Sequence, residues 1–214
     1  MIKAIIFDLD GVIVDTAHYH YLAWKRLAKE FNIDLTLEQN ELLKGVSRTK
    51  SLQIILHFGG LKKSIKEMEI LAARKNGWFV EFIEKMKPDE IFPGIKEMLV
   101  ALKKDGYKVA LASSSKNADM VIKRLCIENE FDTVVDGTMI VHSKPDPEIF
   151  LMAASRLHLS PAECVVFEDA EAGVEAAIRA GMKCVGVGST KQLSKANFIV
   201  SKTADFDSKI LQAL

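Results

Sequence analysis

The chain has 214 residues, 49% of them hydrophobic, which predicts one compact domain or a domain with an insertion and excludes a disordered protein. Basic and acidic residues number 29 each, a balance that argues against a general nucleic-acid or membrane-surface partner. No apolar stretch approaches the roughly 18 residues of a membrane span, and Asp8 interrupts the start where a signal peptide would stay apolar, so we expect a cytoplasmic protein.

The first predicted element is a strand, AIIF, at residues 4–7. Two carboxylates, Asp8 and Asp10, and then Gly11 follow it directly. A run of isoleucine and phenylalanine this short and continuous is typical of a strand buried on both faces. The strand therefore holds Asp8 at its carboxyl end, while Gly11 lets the chain turn so that Asp10 comes back over the same point.

Residues 16–87 form the second predicted unit, and they contain helical patterns only. Apolar stripes at helical spacing predict helices over 17–31, 49–58 and 64–86. A block of this length is too long for a loop and predicts an inserted helical domain, here called the cap. The core domain then comprises 1–15 and 88–214, and the two connections make a plausible hinge.

From residue 93 onward, short apolar strands alternate with helices. This alternation predicts a doubly wound, Rossmann-like α/β core with a parallel sheet covered on both faces. The predicted strands are 107–112, 133–137, 163–169, 182–188 and 197–200, and the predicted helices are 93–106, 116–125, 146–159 and 170–181, with a short helix at the end.

Functional side chains follow four of these strands. In an open parallel sheet, ligands bind outside the carboxyl ends of the strands, so the groups there are expected to share one crevice. The groups are Asp8 and Asp10 after the first strand, Ser113 after the second, Lys144 after the third, and Glu168 and Asp169 after the fourth. Any one of them alone could be a helix cap or a solvated loop charge.

Carboxylates packed this closely repel one another unless a cation lies between them. An all-oxygen set without paired cysteine or histidine favours Mg²⁺ over Zn²⁺. Mg²⁺ with a nearby lysine and serine indicates a phosphate substrate and phosphoryl transfer. Asp8 is then the expected nucleophile, forming an aspartyl-phosphate, and Asp10 the expected general acid and base.

One cap segment carries a second phosphate-binding pattern. Gly45, Val46 and Ser47 expose backbone N–H groups, and Arg48 offers a bidentate grip at a predicted helix start. Without these neighbours, Arg48 would be a solvated charge. His18 and His20 are weaker candidates, and one of them is expected on the cap surface. Trp24 is expected in the cap core.

The three cysteines, Cys126, Cys164 and Cys184, are far apart and match no metal or redox spacing. They suit a reducing cytoplasm and are expected to be buried as small apolar residues.

These motifs resemble those of the haloacid dehalogenase superfamily. The segments DLDGVIVDT, LASSS, SKPDPEIF and VVFEDAEAG are similar to its four motifs, in order and at suitable spacing. The helical insert is similar to the cap of its phosphosugar branch. The segments LLKGVSRTKSL, DTAHYHYLAWKRLA, AARKN and SSSKN also resemble the β-phosphoglucomutase subfamily, along nearly the whole chain.

The resemblance implies conversion between β-glucose 1-phosphate and glucose 6-phosphate through β-glucose 1,6-bisphosphate. It implies a metal held by Asp8, the Asp10 carbonyl and Asp169, with Glu168 alongside, and Ser113 and Lys144 on the transferring phosphoryl group. Thr16 and His20 would link hinge and cap to Asp10. The implied residues around the sugar and its distal phosphate are Gly45, Val46, Ser47 and Arg48, supported by Lys44, Ser51, Lys75 and Asn76, with Ser115, Lys116 and Asn117 from the core.

One position departs from the pattern. Ala170 stands where related mutases often have serine, so a hydroxyl beside the metal ligands is missing. Two other functions stay open: a phosphatase of the same fold acting on a small phosphosugar or pyrophosphate, and a phosphosugar-binding regulator without catalysis. A phosphatase needs only one phosphate-binding site. A regulator without catalysis should have lost Asp8 or Asp10, and this sequence keeps both. Nothing in the sequence demands more than a monomer.

Overall fold

A six-stranded, fully parallel sheet forms the centre of the molecule, in the order β3-β2-β1-β4-β5-β6. The computed structural model describes residues 1–212. The strands are β1 Ala4–Phe7, β2 Lys108–Ala112, β3 Thr133–Val135, β4 Cys164–Glu168, β5 Lys183–Val187 and β6 Phe198–Val200. The predicted doubly wound α/β core with an inserted helical cap is confirmed.

Two hydrophobic layers cover the sheet, one on each face. Side chains alternate along β1, so that Ile5 and Phe7 pack into one layer while Ala4 and Ile6 pack into the other. Burial on both faces explains why β1 is continuously apolar. The helices around the core sheet are α5 Ile95–Lys104, α6 Ala118–Arg124, α7 Glu148–Arg156 and α8 Glu171–Arg179.

The cap comprises α1 Ala17–Lys29, α2 Leu37–Glu41, α3 Arg48–Phe58 and α4 Ile65–Ile83, around a separate apolar cluster that includes Trp24 and Leu27. Sequence analysis missed α2. Its signal is a capping box in which Thr36 and Gln39 bond to each other's backbone N–H groups. The helix is too short for an apolar stripe to reveal it.

The two chain crossings between core and cap lie side by side. Val14 forms an antiparallel bridge with Ile91, and the Phe92 N–H donates to the Ile13 carbonyl at 2.9 Å. Tyr19 on the cap donates its hydroxyl to Glu90 at 2.6 Å, which raises the pKa of Tyr19 to about 12. Two adjacent crossings are what a hinge requires. The exact domain bounds, 1–15 with 88–214 and 16–87, stay a prediction.

The expectation of three buried cysteines is wrong for Cys126, which is exposed, whereas Cys164 and Cys184 are buried. Helix α6 ends just before Cys126, which adopts a left-handed conformation with φ 55° that closes the helix end. Residues that close a helix in this way often lie at the surface. Within residues 1–212, no helix has the length and apolar character needed to cross a membrane.

Candidate active site

A buried ion cluster lies at the carboxyl end of the sheet, where the sequence predicts it. The ammonium group of Lys144, 1% exposed, lies 2.5 Å from Asp8 Oδ1 and 3.2 Å from Glu168 Oε1. Burial alone would lower the pKa of Lys144, but the carboxylates of Asp8 and Glu168 outweigh it and raise that pKa. Lys144 is therefore a permanent cation beside the expected nucleophile.

Asp10 lies in the turn that follows β1. Its backbone N–H donates to Asp8 Oδ2 at 3.1 Å, and its own Oδ1 is buried without a hydrogen-bond partner among residues 1–212. Burial and then the charge of Asp8 raise the pKa of Asp10 to about 8. A carboxyl group with this pKa keeps its proton at neutral pH and can donate it, as a general acid must.

Gly11 permits the close approach of these acids. It has φ +78°, and a Cβ atom there would overlap the Asp169 carboxylate. Sequence analysis assigned Gly11 only the turn of the chain. The structure adds that the backbone at residue 11 forms one wall of the acidic cluster.

Three carboxylates could hold a metal ion here. Oxygen atoms of Asp8, Glu168 and Asp169 all lie within 4.8 Å of one another, whereas the Asp10 carboxylate is not in this set. The pKa values of Glu168 and Asp169 are both raised to about 8. Burial is the largest cause, and the negative charge of Asp8 raises both values further. Buried like charges and an all-oxygen donor set fit a hard divalent cation.

This donor set predicts a pH dependence of metal binding. Glu168 and Asp169 hold protons more tightly in the folded protein, so the stability they contribute is complete below about pH 4 and is lost as the pH rises towards 8. A divalent ion replaces those protons. The increase in Tm produced by Mg²⁺ over chelator should therefore grow from about pH 5 to about pH 8.

At a hundredfold excess of Mg²⁺ over its Kd, this increase should reach about 5–10 °C near pH 8. Thermal melts of wild type and Asp169→Asn, with Mg²⁺ and with chelator, measure it. The variant should lose most of the increase. An increase that is equal in both proteins, or that shrinks as the pH rises, would contradict the proposed ligand set.

A cavity of about 550 Å³ lies between this cluster and the cap. It contains charged and polar groups from both domains. The predicted site residues that line it are Asp8, Asp10, Ser115, Lys116 and Asp169 from the core, and His20, Lys44, Gly45, Val46, Ser47, Arg48, Ser51 and Lys75 from the cap. Ser113, Lys144 and Glu168 are buried directly beneath the core side.

Arg48 is the first residue of α3, and Ser47 caps that helix by accepting from the Lys50 N–H at 3.3 Å. The first turn of α3 contains no acidic residue, and Arg48 forms no ion pair within the described part of the chain. Burial lowers its pKa from the usual value, but a guanidinium group stays charged in proteins. A helix N-terminus with an unpaired, partly buried arginine is a site for an anion.

Lys75 and His20 form a buried pair on the cap side. The Lys75 ammonium lies 2.7 Å from His20 Nδ1, and His20 stacks on Phe79 with ring centres 3.8 Å apart. Burial lowers both pKa values well below their usual range. The positive charge of Arg48 lowers the Lys75 pKa further, and the positive charge of Lys75 lowers the His20 pKa further. His20 is therefore neutral.

The predicted link from Thr16 and His20 to Asp10 is not present as a direct hydrogen bond. His20 bonds to Lys75 instead, and the buried Thr16 hydroxyl has no hydrogen-bond partner in the part of the chain that the structure describes. Ser51 serves the cap itself, since its hydroxyl donates to the carbonyls of Leu43 and Ser47. The roles of Thr16 and His20 in positioning Asp10 stay predictions.

Besides the Tyr19–Glu90 bond, further side-chain hydrogen bonds join core and cap near the cavity. Asn117 Nδ2 donates to Asn76 Oδ1 at 2.9 Å, and both residues are among the predicted substrate contacts. The Ser114 hydroxyl donates to the Gly45 carbonyl at 3.1 Å. Sequence analysis missed Ser114, although Ser113 and Ser115 on either side of it are predicted site residues. Trp24 is buried in the cap core, as predicted, and also lines the cavity.

Known proteins resemble this chain over almost its full length. The model of the haloacid dehalogenase-like hydrolase family matches residues 5–187. The β-phosphoglucomutase of Bacillus subtilis is 46% identical over 98% of this chain and 93% of its own length. A phosphorylated carbohydrates phosphatase of Thermotoga maritima is 33% identical over 85% of this chain and 82% of its own.

The same likeness holds for a solved structure. The crystal structure of β-phosphoglucomutase from Clostridium difficile matches with a TM-score of 0.95 and 44% identity. The match covers 100% of this chain and 96% of the other, so it includes both the core and the cap.

Proposed function

The chain belongs to the haloacid dehalogenase-like hydrolase family, and we propose that it is a phosphosugar mutase that interconverts β-glucose 1-phosphate and glucose 6-phosphate. The resemblance to this family that the four motifs predict is confirmed. The proposal is supported by one cavity that has candidate phosphate-binding groups at both of its ends. Lys144 and the acidic cluster lie at the core end, and Arg48 lies at the cap end.

The first half-reaction transfers a phosphoryl group from β-glucose 1,6-bisphosphate to Asp8. A carboxylate oxygen of Asp8 attacks phosphorus, and the bond from phosphorus to the sugar oxygen breaks. Asp10 gives its proton to that sugar oxygen, so the sugar monophosphate leaves with a neutral hydroxyl. Asp10 suits this step because burial and Asp8 raise its pKa to about 8.

The second half-reaction runs in the opposite sense on the other end of the sugar. Asp10, now ionised, removes the proton from a hydroxyl of the incoming monophosphate. The hydroxyl oxygen attacks the aspartyl-phosphate, and the bond between phosphorus and the Asp8 oxygen breaks. The bisphosphate forms again, and it can turn round so that either phosphate faces Asp8.

Lys144 and Ser113 hold the transferring phosphoryl group in this proposal. Lys144 already lies 2.5 Å from Asp8, so a cation is in place before charge develops on the phosphoryl oxygens. The family implies a divalent metal. We propose that it is Mg²⁺, held by Asp8, Glu168, Asp169 and the Asp10 carbonyl, where it would supply further positive charge to the phosphoryl group.

Arg48, with the first N–H groups of α3, binds the phosphate that is not being transferred. Lys44, Gly45, Val46, Ser47 and the core residues Ser115 and Lys116 complete that end of the cavity. Binding energy from the remote phosphate can hold the cap over the core and exclude water. A mutase needs this exclusion because water would otherwise hydrolyse the aspartyl-phosphate.

The proposal extends to partners and location. The cavity is built from one chain, so a monomer suffices, and a balanced net charge gives no support to a nucleic-acid partner. Free cysteines and a phosphorylated sugar substrate suit the cytoplasm, where thiols stay reduced.

The partition of product tests this proposal against hydrolysis. Purified protein with Mg²⁺, β-glucose 1-phosphate and a trace of the bisphosphate should yield glucose 6-phosphate, with free phosphate at least about tenfold slower. Coupled assays follow both products in the same sample. Free phosphate released faster than glucose 6-phosphate would favour the phosphatase function, and neither product would favour the binding protein.

A further inference from the structure

We propose that Ser114 is a positioning residue that fastens the cap to the core and so holds Arg48 at the cavity. It would act through the cap loop 43–48, which runs from Leu43 to Arg48. This inference deepens the proposed function and rests on it for its effect on turnover. The Ser114 hydroxyl donates to the Gly45 carbonyl at 3.1 Å. This bond joins the core to the cap through two residues that are 69 positions apart in sequence.

On the core side of this contact, backbone hydrogen bonds tie the serine segment to the chain at and just after the end of β3. The Ser113 N–H donates to the Val135 carbonyl at 3.0 Å, and the Gly137 N–H donates to the Ser115 carbonyl at 3.2 Å. A Cβ atom at Gly137 would overlap the Ser114 carbonyl, so the two backbones are in close contact. The end of β3 thereby fixes the segment that presents the Ser114 hydroxyl to the cap.

The cap side connects directly to the anion site. Gly45 has φ +70°, and Arg48, three residues later, begins α3. The Ser51 hydroxyl donates to the carbonyls of Leu43 and Ser47, which ties the cap loop to α3. A constraint on the Gly45 carbonyl is therefore passed to Arg48 through a short, internally bonded loop.

Gly45 also rests on the core beside the acidic cluster. A Cβ atom at Gly45 would lie 3.1 Å from the Ala170 methyl group and 3.9 Å from Glu168 Oε1. Ala170, the position where the sequence departs from the mutase pattern, thus gives the cap loop an apolar surface to pack on. Ser114 supplies the polar contact at the same point, so the two residues together define where the loop docks.

Hydrogen exchange in the free protein tests the contact without any assay of activity. Ser114→Ala removes the hydroxyl, and one lost hydrogen bond should speed amide exchange in residues 43–48 about two- to tenfold, with no change in β4. Ser114→Thr keeps a hydroxyl and should restore slow exchange. Ser155→Ala, at an exposed serine of α7, is the matched control and should have no effect.

The same variants test the consequence for turnover. Ser114→Ala should lower mutase kcat/KM about two- to tenfold and leave hydrolysis of acetyl phosphate, which has no distal phosphate, unchanged. Unchanged exchange in residues 43–48, or a rise shared equally with β4, would overturn the proposal, as would an equal fall in both activities. If exchange responds as expected but the wild type makes no glucose 6-phosphate, the contact stands and the proposed function fails.

Discussion

Replacing Asp8 with Asn is expected to abolish turnover while the protein stays folded. The amide has nearly the shape of the carboxylate but cannot form the acyl phosphate, so kcat should fall by at least about 10⁴-fold. The substitution removes the negative charge of Asp8, which is one cause of the raised Glu168 pKa, so Glu168 at 3.2 Å ionises more readily and balances the buried charge of Lys144. Folding should therefore survive the change.

Steady-state assays of glucose 6-phosphate formation, with thermal melts of the same samples, measure this effect. Asp105→Asn, at an exposed position after α5, is a matched control that should keep full activity. Residual turnover within about a hundredfold of wild type, in a folded Asp8→Asn protein, would mean that the nucleophile lies elsewhere.

Replacing Arg48 with Ala is expected to separate mutase activity from hydrolysis. Loss of one charged partner of a bound phosphate costs about 2–5 kcal/mol. Since about 1.4 kcal/mol is a tenfold change in rate, mutase kcat/KM should fall by roughly 30-fold to several thousandfold. Acetyl phosphate has no second phosphate for Arg48 to bind, so its hydrolysis should change far less.

Arg74→Ala is the matched control for this substitution. Arg74 is also a cap arginine, but it is exposed and pairs with Glu30 at 3.0 Å, away from the cavity lining. Its replacement should leave both activities near wild type, because exposed ion pairs contribute little. An equal fall of both activities in Arg48→Ala would mean that Arg48 acts through folding or through the core site.

The sequence predicts which core side chains lie together, because these residues follow the ends of strands. In a parallel sheet, every strand of the same direction brings its carboxyl end to the same edge, so Asp8, Ser113 and Glu168 must be neighbours once the strands are recognised. The structure agrees, and it adds the Lys144 ion pairs and the Asp10 oxygen that is buried without a hydrogen-bond partner among the described residues. The same regularity made the helix and strand order of the core predictable.

Contacts between the two domains could not be predicted in this way. The Asn117–Asn76 bond joins residues 41 positions apart, and the Ser114–Gly45 bond joins residues 69 positions apart. No periodicity encodes such pairs, since they depend on how the cap is placed over the core. Helix α2 was missed because it depends on a capping box, which leaves no apolar pattern in the sequence. The exposure of Cys126 was missed because it depends on a left-handed residue after α6, which leaves no such pattern either.

The most direct measurement follows one phosphoryl group. The protein is loaded with radiolabelled phosphate from acetyl phosphate, and unlabelled β-glucose 1-phosphate is then added. We expect an acid-stable, hydroxylamine-sensitive label on the peptide that contains Asp8. That label should move to β-glucose 1,6-bisphosphate when the sugar arrives. Label that forms on another peptide, or that passes mainly to free phosphate in the presence of the sugar, would contradict a mutase with Asp8 as its nucleophile.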